Sequence, residues 1–179
     1  MKKLRYVRHS LKDGAIIGAE GLAYAQGKAP AGDYTDLFYG PLYRTLQTVL
    51  AVIAAIGCQP GTKVHMPIAE IGSDELFKVM ANDAFKAAVK AGKTNIEAVY
   101  EAGHSSDQLE IWTADAANGV KKMLDEMPDG SFGIALGHDP VIPMAAQAFD
   151  CPVPSLKEME YVDFIQYTDG TIVVEDPRK

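Results

Sequence analysis

The apolar positions of this chain form short runs that alternate with longer repeats at helical spacing. Short apolar runs at 3–7, 62–68 and 132–136 are typical of strands buried within a sheet. The segment 40–56 instead repeats its apolar residues three and four positions apart and ends at a glycine, as an amphipathic helix does. A long helical pattern then covers about 73–127. Strands and helices therefore alternate along the chain.

The last third of the chain completes this pattern. Residues 140–149 have the small-residue texture of a helix packed on a sheet, and 161–167 and 171–174 flank an Asp-Gly turn typical of a hairpin. We therefore predict an α/β fold, a three-layer α/β/α sandwich with a mostly parallel central sheet and an antiparallel edge hairpin. One domain is expected over 1–179, with a helical segment at about 73–127.

The composition of the chain limits the classes of partner that it could bind. The 179 residues carry a formal net charge of −7, which argues against a nucleic-acid surface and against an anionic membrane surface. No apolar run is long enough to span a bilayer, and no apolar segment follows the charges at the start of the chain. Cys58 and Cys151 are too few for a disulfide scaffold, and we expect both to be buried thiols. The expected location is the cytoplasm.

Two histidines follow two of the predicted strands. His9 comes after the strand at 3–7, and His138 comes after the strand at 132–136. In open α/β sheets, ligands bind beyond the carboxyl ends of the strands, so we expect both imidazoles in one pocket. Arg8 and Asp139 stand beside them. Either histidine alone would more often be an ordinary core or loop residue, but the shared placement favours chemistry.

Arg44 adds a second cation to this group. It lies in the first turn of the otherwise apolar helix predicted at 40–56, where the helix N-terminus also favours an anion. A surface salt bridge is the alternative interpretation. Together with Arg8 and the two histidines, Arg44 would surround a phosphate with donors, and such preorganised charge is what phosphoryl transfer mostly requires.

Three segments of the chain resemble the histidine phosphatase superfamily, also called the phosphoglycerate mutase-like family. They are Arg8-His9-Ser10, Gly40-Pro41-Leu42-Tyr43-Arg44-Thr45-Leu46-Gln47-Thr48 and Gly137-His138. The middle segment is the most specific, because six of its positions agree with the family pattern in type and spacing. The resemblance covers essentially the whole chain.

The resemblance implies a phosphatase that acts on a phosphate monoester. His9 would attack phosphorus to give a phosphohistidine intermediate, while Arg8, Arg44 and a protonated His138 hold the phosphate oxygens. No metal and no cofactor is then expected. His65 and His104 show no metal-ligand spacing and are not expected to be ligands.

The general acid has two candidates. Glu70 follows the strand predicted at 62–68 and resembles a family glutamate, and we favour it as the residue that protonates the leaving oxygen. Asp139 resembles the donor of the acid-phosphatase branch, although a cap on the helix beginning at Pro140 is its simpler interpretation. Ser10 replaces a family glycine. Its hydroxyl is expected, with Asp139, among the substrate-binding groups.

Two other functions stay open at this point. One is a phosphoglycerate mutase, although the resemblance to this family implies a longer chain for a mutase. The other is a catalytically silent phosphate-binding domain. The expected partner is a small phosphorylated substrate or a phosphoprotein, and a homo-oligomer is compatible with the sequence. Specificity would arise from the loop at 10–39 and from the helical segment at 73–127.

Overall fold

The structure is a computed structural model that describes residues 1–57, 59–68 and 74–179. Cys58 and Glu70 lie outside the described residues. Within these ranges the chain alternates between strands and helices, as its apolar pattern predicts.

The strands form one central sheet, with the order β3-β2-β4-β1-β5-β6 among the described residues. They are β1 (Lys2–Arg8), β2 (Asp36–Tyr39), β3 (Lys63–Val64), β4 (Phe132–Gly137), β5 (Tyr161–Gln166) and β6 (Ile172–Glu175). The first four run parallel, whereas β5 pairs antiparallel with β1 and β6 pairs antiparallel with β5. The mostly parallel sheet and its antiparallel edge hairpin are thus confirmed.

Helices cover both faces of the sheet. They are α1 (Ala19–Gly27), α2 (Tyr43–Ile56), α3 (Asp74–Ala81), α4 (Asp83–Lys90), α5 (Asn95–Glu101), α6 (Ser106–Glu126) and α7 (Val141–Ala148). The first two pack on one face and the other five on the opposite face, which gives the predicted three layers. None of the described helices is long and apolar enough to cross a membrane.

The alternation of side chains along β1 builds a separate apolar core on each face. Leu4 and Tyr6 point toward α3 to α7, and Val7 points toward α2. All three are fully buried. The Tyr6 ring lies across β4 at Gly137, where an added Cβ would come within 2.4 Å of the ring. Glycine at this position therefore lets the two central strands pack closely where they end.

Two predicted boundaries are wrong. The loop predicted at 10–39 contains β2, which is short and begins with the polar residue Asp36. Burial of this carboxylate is possible because the Thr35 hydroxyl and the His65 ring hydrogen-bond to it, both at 2.8 Å. The strand predicted at 62–68 shrinks to the two exposed residues of β3, at the sheet edge and ahead of Pro67.

Candidate active site

The pairing of the two central strands brings His9 and His138 together. Arg8 at the end of β1 is in register with Gly137 at the end of β4, and the His9 amide donates to the Gly137 carbonyl at 3.0 Å. The two imidazole centroids lie 4.9 Å apart with their planes inclined at 65°. Both rings are buried. We call this group, with Arg8 and Arg44, the histidine pocket.

The hydrogen bonds of His9 fix its tautomer. Its Nδ1 lies 2.6 Å from the carbonyl oxygen of Ser10, which can only accept, so Nδ1 carries the proton. Arg44 donates from Nε to His9 Nε2 at 3.2 Å, so Nε2 presents its lone pair. Burial, together with the charges of Arg44, Arg8 and Lys12, lowers the pKa of His9 to about 3. His9 is thus a neutral base with Nε2 directed at the pocket's guanidinium.

His138 is neutral as well. Burial holds its pKa well below the ordinary value, and the adjacent His9, Arg44 and Arg8 act in the same direction. Its Nε2 is buried without a hydrogen-bond partner among the described residues. The Phe77 and His138 rings meet edge-on with their centroids 4.8 Å apart. The free pocket therefore holds a neutral His138, because burial and the nearby cations both disfavour a charged ring. The predicted protonated His138 concerns the pocket with phosphate bound.

The two arginines are held in different ways. Arg8 donates from Nη1 to the Leu156 carbonyl and from Nη2 to Glu158 Oε1 at 2.9 Å. Its Nε is buried and has no partner among the described residues. Arg44 lies in the first turn of α2, as predicted, with its guanidinium 5.9 Å from the Phe77 ring centre. Neither the Glu158 contact nor the Phe77 contact is evident from the sequence.

Asp139 does not cap α7. Pro140 occupies the N-cap position, and no side chain caps this helix. The Asp139 carboxylate instead accepts from the Leu156 amide at 3.2 Å and from the Asn95 side chain. It is 3% exposed, and burial raises its pKa to about 6 despite the nearby Arg8. The capping interpretation is wrong because the carboxylate turns toward the 155–156 backbone.

Ser10 also differs from its expected role. Its hydroxyl donates to the Gly21 carbonyl in α1 at 2.7 Å, and its amide donates to Thr48 Oγ1 at 3.2 Å. The residue is fully buried. Gly21 permits this contact because a Cβ there would lie 2.2 Å from the Leu11 carbonyl oxygen. The hydroxyl thus fastens α1 to the end of β1, and its proton is directed at Gly21 rather than at the histidine pocket.

We expect Ser10→Ala to lower the free energy of unfolding by about 0.5–1.5 kcal/mol, because the hydrogen bond from the hydroxyl to the Gly21 carbonyl is lost. Denaturant unfolding measures this change. Ser106→Ala, at an exposed serine, is the matched control and should stay within about 0.5 kcal/mol of the parent. Equal stability of parent and Ser10→Ala would contradict the fastening role.

The histidine pocket opens into a cavity of about 790 Å³. Arg8, Arg44 and Asp139 line it, together with Lys12 from the loop after β1. Burial and the charges of the two arginines lower the pKa of Lys12. Sequence reasoning missed Lys12, although its position three residues after His9 was an available signal.

The other two histidines have structural contacts. His65 lies between two carboxylates, with Nε2 2.8 Å from Asp36 and Nδ1 3.0 Å from Glu126. His104 contacts the Trp112 ring, whose centre lies 5.5 Å away. Among the described residues, no group of three or more His, Cys, Asp and Glu side chains is placed to hold a metal ion.

Comparisons with known proteins bear on the fold. No protein-family model matches the chain, and no curated protein matches it. Solved structures do match. YhfR from Bacillus stearothermophilus has a TM-score of 0.67 at 13% identity, covering 99% of this chain and 96% of that one. A mycobacterial glucosyl-3-phosphoglycerate phosphatase has a TM-score of 0.66 at 10% identity, covering 98% of both chains.

A phosphoglycerate mutase from Bacillus anthracis is similar to the same degree. Its TM-score is 0.65 at 13% identity, and the match covers 97% of this chain and 91% of that one. These likenesses extend over nearly the full length of each chain, so they concern the whole sheet and its helices. The chain therefore has the phosphoglycerate mutase-like fold that its motifs predict.

Proposed function

We propose that the protein is a phosphatase that hydrolyses a phosphate monoester through a phosphohistidine on His9. The observation that carries this proposal is the state of His9, a neutral imidazole whose Nε2 lone pair faces the Arg44 guanidinium at 3.2 Å. A nucleophile beside a fixed cation is what attack on a phosphate anion requires. The phosphatase found among the structural neighbours supports the same class of reaction.

In the first step, His9 Nε2 attacks phosphorus and the bond from phosphorus to the leaving oxygen breaks. Phosphate oxygens would accept from Arg44 in place of His9 Nε2, which frees the lone pair for attack. Arg8 lines the cavity, and the His138 ring, with its unpartnered Nε2, lies against the His9 ring. Both residues would hold further oxygens. A dianion beside His138 favours its protonated form, so this ring would gain a proton only when phosphate binds.

Proton transfer completes the reaction. The leaving oxygen takes a proton from Asp139, and the alcohol departs. Water then attacks the phosphohistidine, Asp139 takes a proton from that water, and the P–N bond breaks to return neutral His9 and inorganic phosphate. Asp139 suits this role because its carboxyl lines the cavity and its pKa is raised to about 6. Glu70 stays a prediction for the same step.

The test is the turnover of an aryl phosphate with and without EDTA. We expect hydrolysis at the same rate in both, because Arg8, Arg44 and His138 would meet the charge of the phosphoryl group. Inorganic phosphate should inhibit competitively. Activity that EDTA removes and Mg²⁺ restores would contradict this mechanism. No turnover, with phosphate still raising the melting temperature, would indicate a silent phosphate-binding domain instead.

A further inference from the structure

The cavity is far larger than a phosphate needs. Its volume of about 790 Å³ falls in the range of roughly 300–1,000 Å³ that holds organic ligands of drug size. Helices α3 and α4 form one wall, which carries four large apolar side chains. They are Phe77, Met80, Phe85 and Val89. Val89 is 39% exposed although it is aliphatic, so this wall is accessible from the cavity. An apolar group of a ligand would be buried here.

The same cavity carries a second set of cations. Lys86 and Lys90 line it from α4, four residues apart and so on one helix face. Lys86 is 3.5 Å from the exposed Asp83, a weak pair, and Lys90 has no ion pair among the described residues. Both lysines are exposed. They are therefore available to an anion of the ligand.

Charge is distributed unevenly between this cavity and the rest of the chain. Five of the lining residues are cations, and Asp139 is the only acidic one among the described residues that line it. The whole chain carries a net charge of −7. A solvated face of an amphipathic helix would explain the two lysines of α4 by themselves. What connects them to a ligand is that they line the same cavity as Arg8, Lys12 and Arg44.

We propose that the substrate is a phosphate monoester whose leaving group has an apolar body and a second anionic group. The phosphoryl end would lie among Arg8, Lys12 and Arg44, the body against the wall from α3 and α4, and the second anion at Lys86 and Lys90. This inference rests on the proposed phosphatase function, because that function places the phosphoryl end of the ester beside His9 and so determines which way the ester binds. It adds the chemical class of the leaving group.

The test uses three arylmethyl phosphonates that cannot be hydrolysed: phenyl, 2-naphthyl and 6-carboxy-2-naphthyl. Calorimetric titration gives their dissociation constants. We expect the naphthyl compound to bind about tenfold more tightly than the phenyl compound, because a further ring is buried. The carboxylate should add about fivefold through the two lysines. Equal affinity for all three phosphonates would overturn the inference.

Charge-matched variants locate the second anion. The double variant Lys86→Gln/Lys90→Gln should lose the fivefold carboxylate preference and keep the naphthyl preference. Lys28→Gln/Lys63→Gln removes the same charge outside the cavity lining and should keep both preferences. A carboxylate preference that survives loss of Lys86 and Lys90 would overturn the assignment of these lysines.

Parallel assays with the matching phosphate esters separate the two proposals. If the phosphonates bind in the expected order and none of the esters is hydrolysed, the phosphatase function fails and the ligand class stands. If the esters are hydrolysed and the phosphonates bind equally, the ligand class fails and the phosphatase function stands.

Discussion

Replacing His9 with alanine is expected to lower turnover of an aryl phosphate by about four orders of magnitude or more. The reason is that His9 Nε2 carries the lone pair that lies against the Arg44 guanidinium, where a phosphate would bind. Arg8, Arg44 and Lys12 are cations, and His138 can hold an oxygen without taking the place of the His9 ring. Steady-state rates measured with a continuous assay for the released phenol check the magnitude.

Trapping of the intermediate gives the second measurement. Wild-type protein mixed with a radiolabelled ester and quenched in base should retain label, because a phosphohistidine survives base. Acid should then release that label. His9→Ala should retain none. His104→Ala is the matched control, since this histidine lies outside the histidine pocket against Trp112, and its rate should stay within about twofold of wild type.

Loss of the fold could mimic loss of the nucleophile, so the melting temperature of His9→Ala is part of the experiment. The ring is buried and neutral, and its hydrogen bonds go to Ser10 and Arg44. We expect the variant to remain folded with a shift of a few degrees. A folded His9→Ala protein with wild-type turnover would exclude His9 as the nucleophile.

The sequence predicts those parts of the fold that depend on local pattern. The strands β1 and β4 and the helix α2 have clear apolar periodicity, and each lies close to its predicted position. The strand β2 was missed because its first residue is a carboxylate. That carboxylate is buried by contacts with the adjacent Thr35 and with His65. Since His65 is 29 residues away, this contact leaves no local signal.

The same division applies to the site. Motif spacing predicted that His9, His138 and Arg44 lie together, and they do. The neutral state of His138 in the free pocket and the contact of the Ser10 hydroxyl with Gly21 depend on burial and on neighbouring elements, so neither was evident from the sequence. Asn95 reaches Asp139 across 44 residues of sequence, so it could not be inferred from pattern alone.

Leu156, in the segment before β5, contacts both the Arg8 guanidinium and the Asp139 carboxylate. The Leu156 carbonyl accepts from Arg8, and the Leu156 amide donates to Asp139. Arg178 near the end of the chain holds this segment, donating to the backbone carbonyls of Pro154 and Ser155, both at 3.3 Å. The position of the carboxyl that would protonate the leaving oxygen is thereby tied to the position of the guanidinium that would bind phosphate.

Asp139→Asn should lower kcat/KM for phenyl phosphate by about 10²–10³-fold below pH 6. The pKa of Asp139 is raised to about 6, so in wild type the carboxyl is protonated below that pH and loses its proton above it. A general acid must hold its proton, so wild-type kcat/KM should fall as pH rises through about 6. The variant should lack that fall, because an amide does not titrate.

Two comparisons separate proton transfer from a structural effect. The first comparison is the ratio of kcat/KM for wild type to kcat/KM for Asp139→Asn, measured on one ester at each pH. The titration of the substrate's own phosphate affects both values equally and so does not affect the ratio. The second comparison is between two substrates. Asp139→Asn should lower kcat/KM far less for a nitrophenyl ester than for the phenyl ester, since a good leaving group departs with little help from an acid. A structural defect would lower both rates equally. If Glu70→Gln instead removes the pH dependence while Asp139→Asn keeps it, Glu70 is the acid, and the raised pKa of Asp139 reflects only its burial between Leu156 and Asn95.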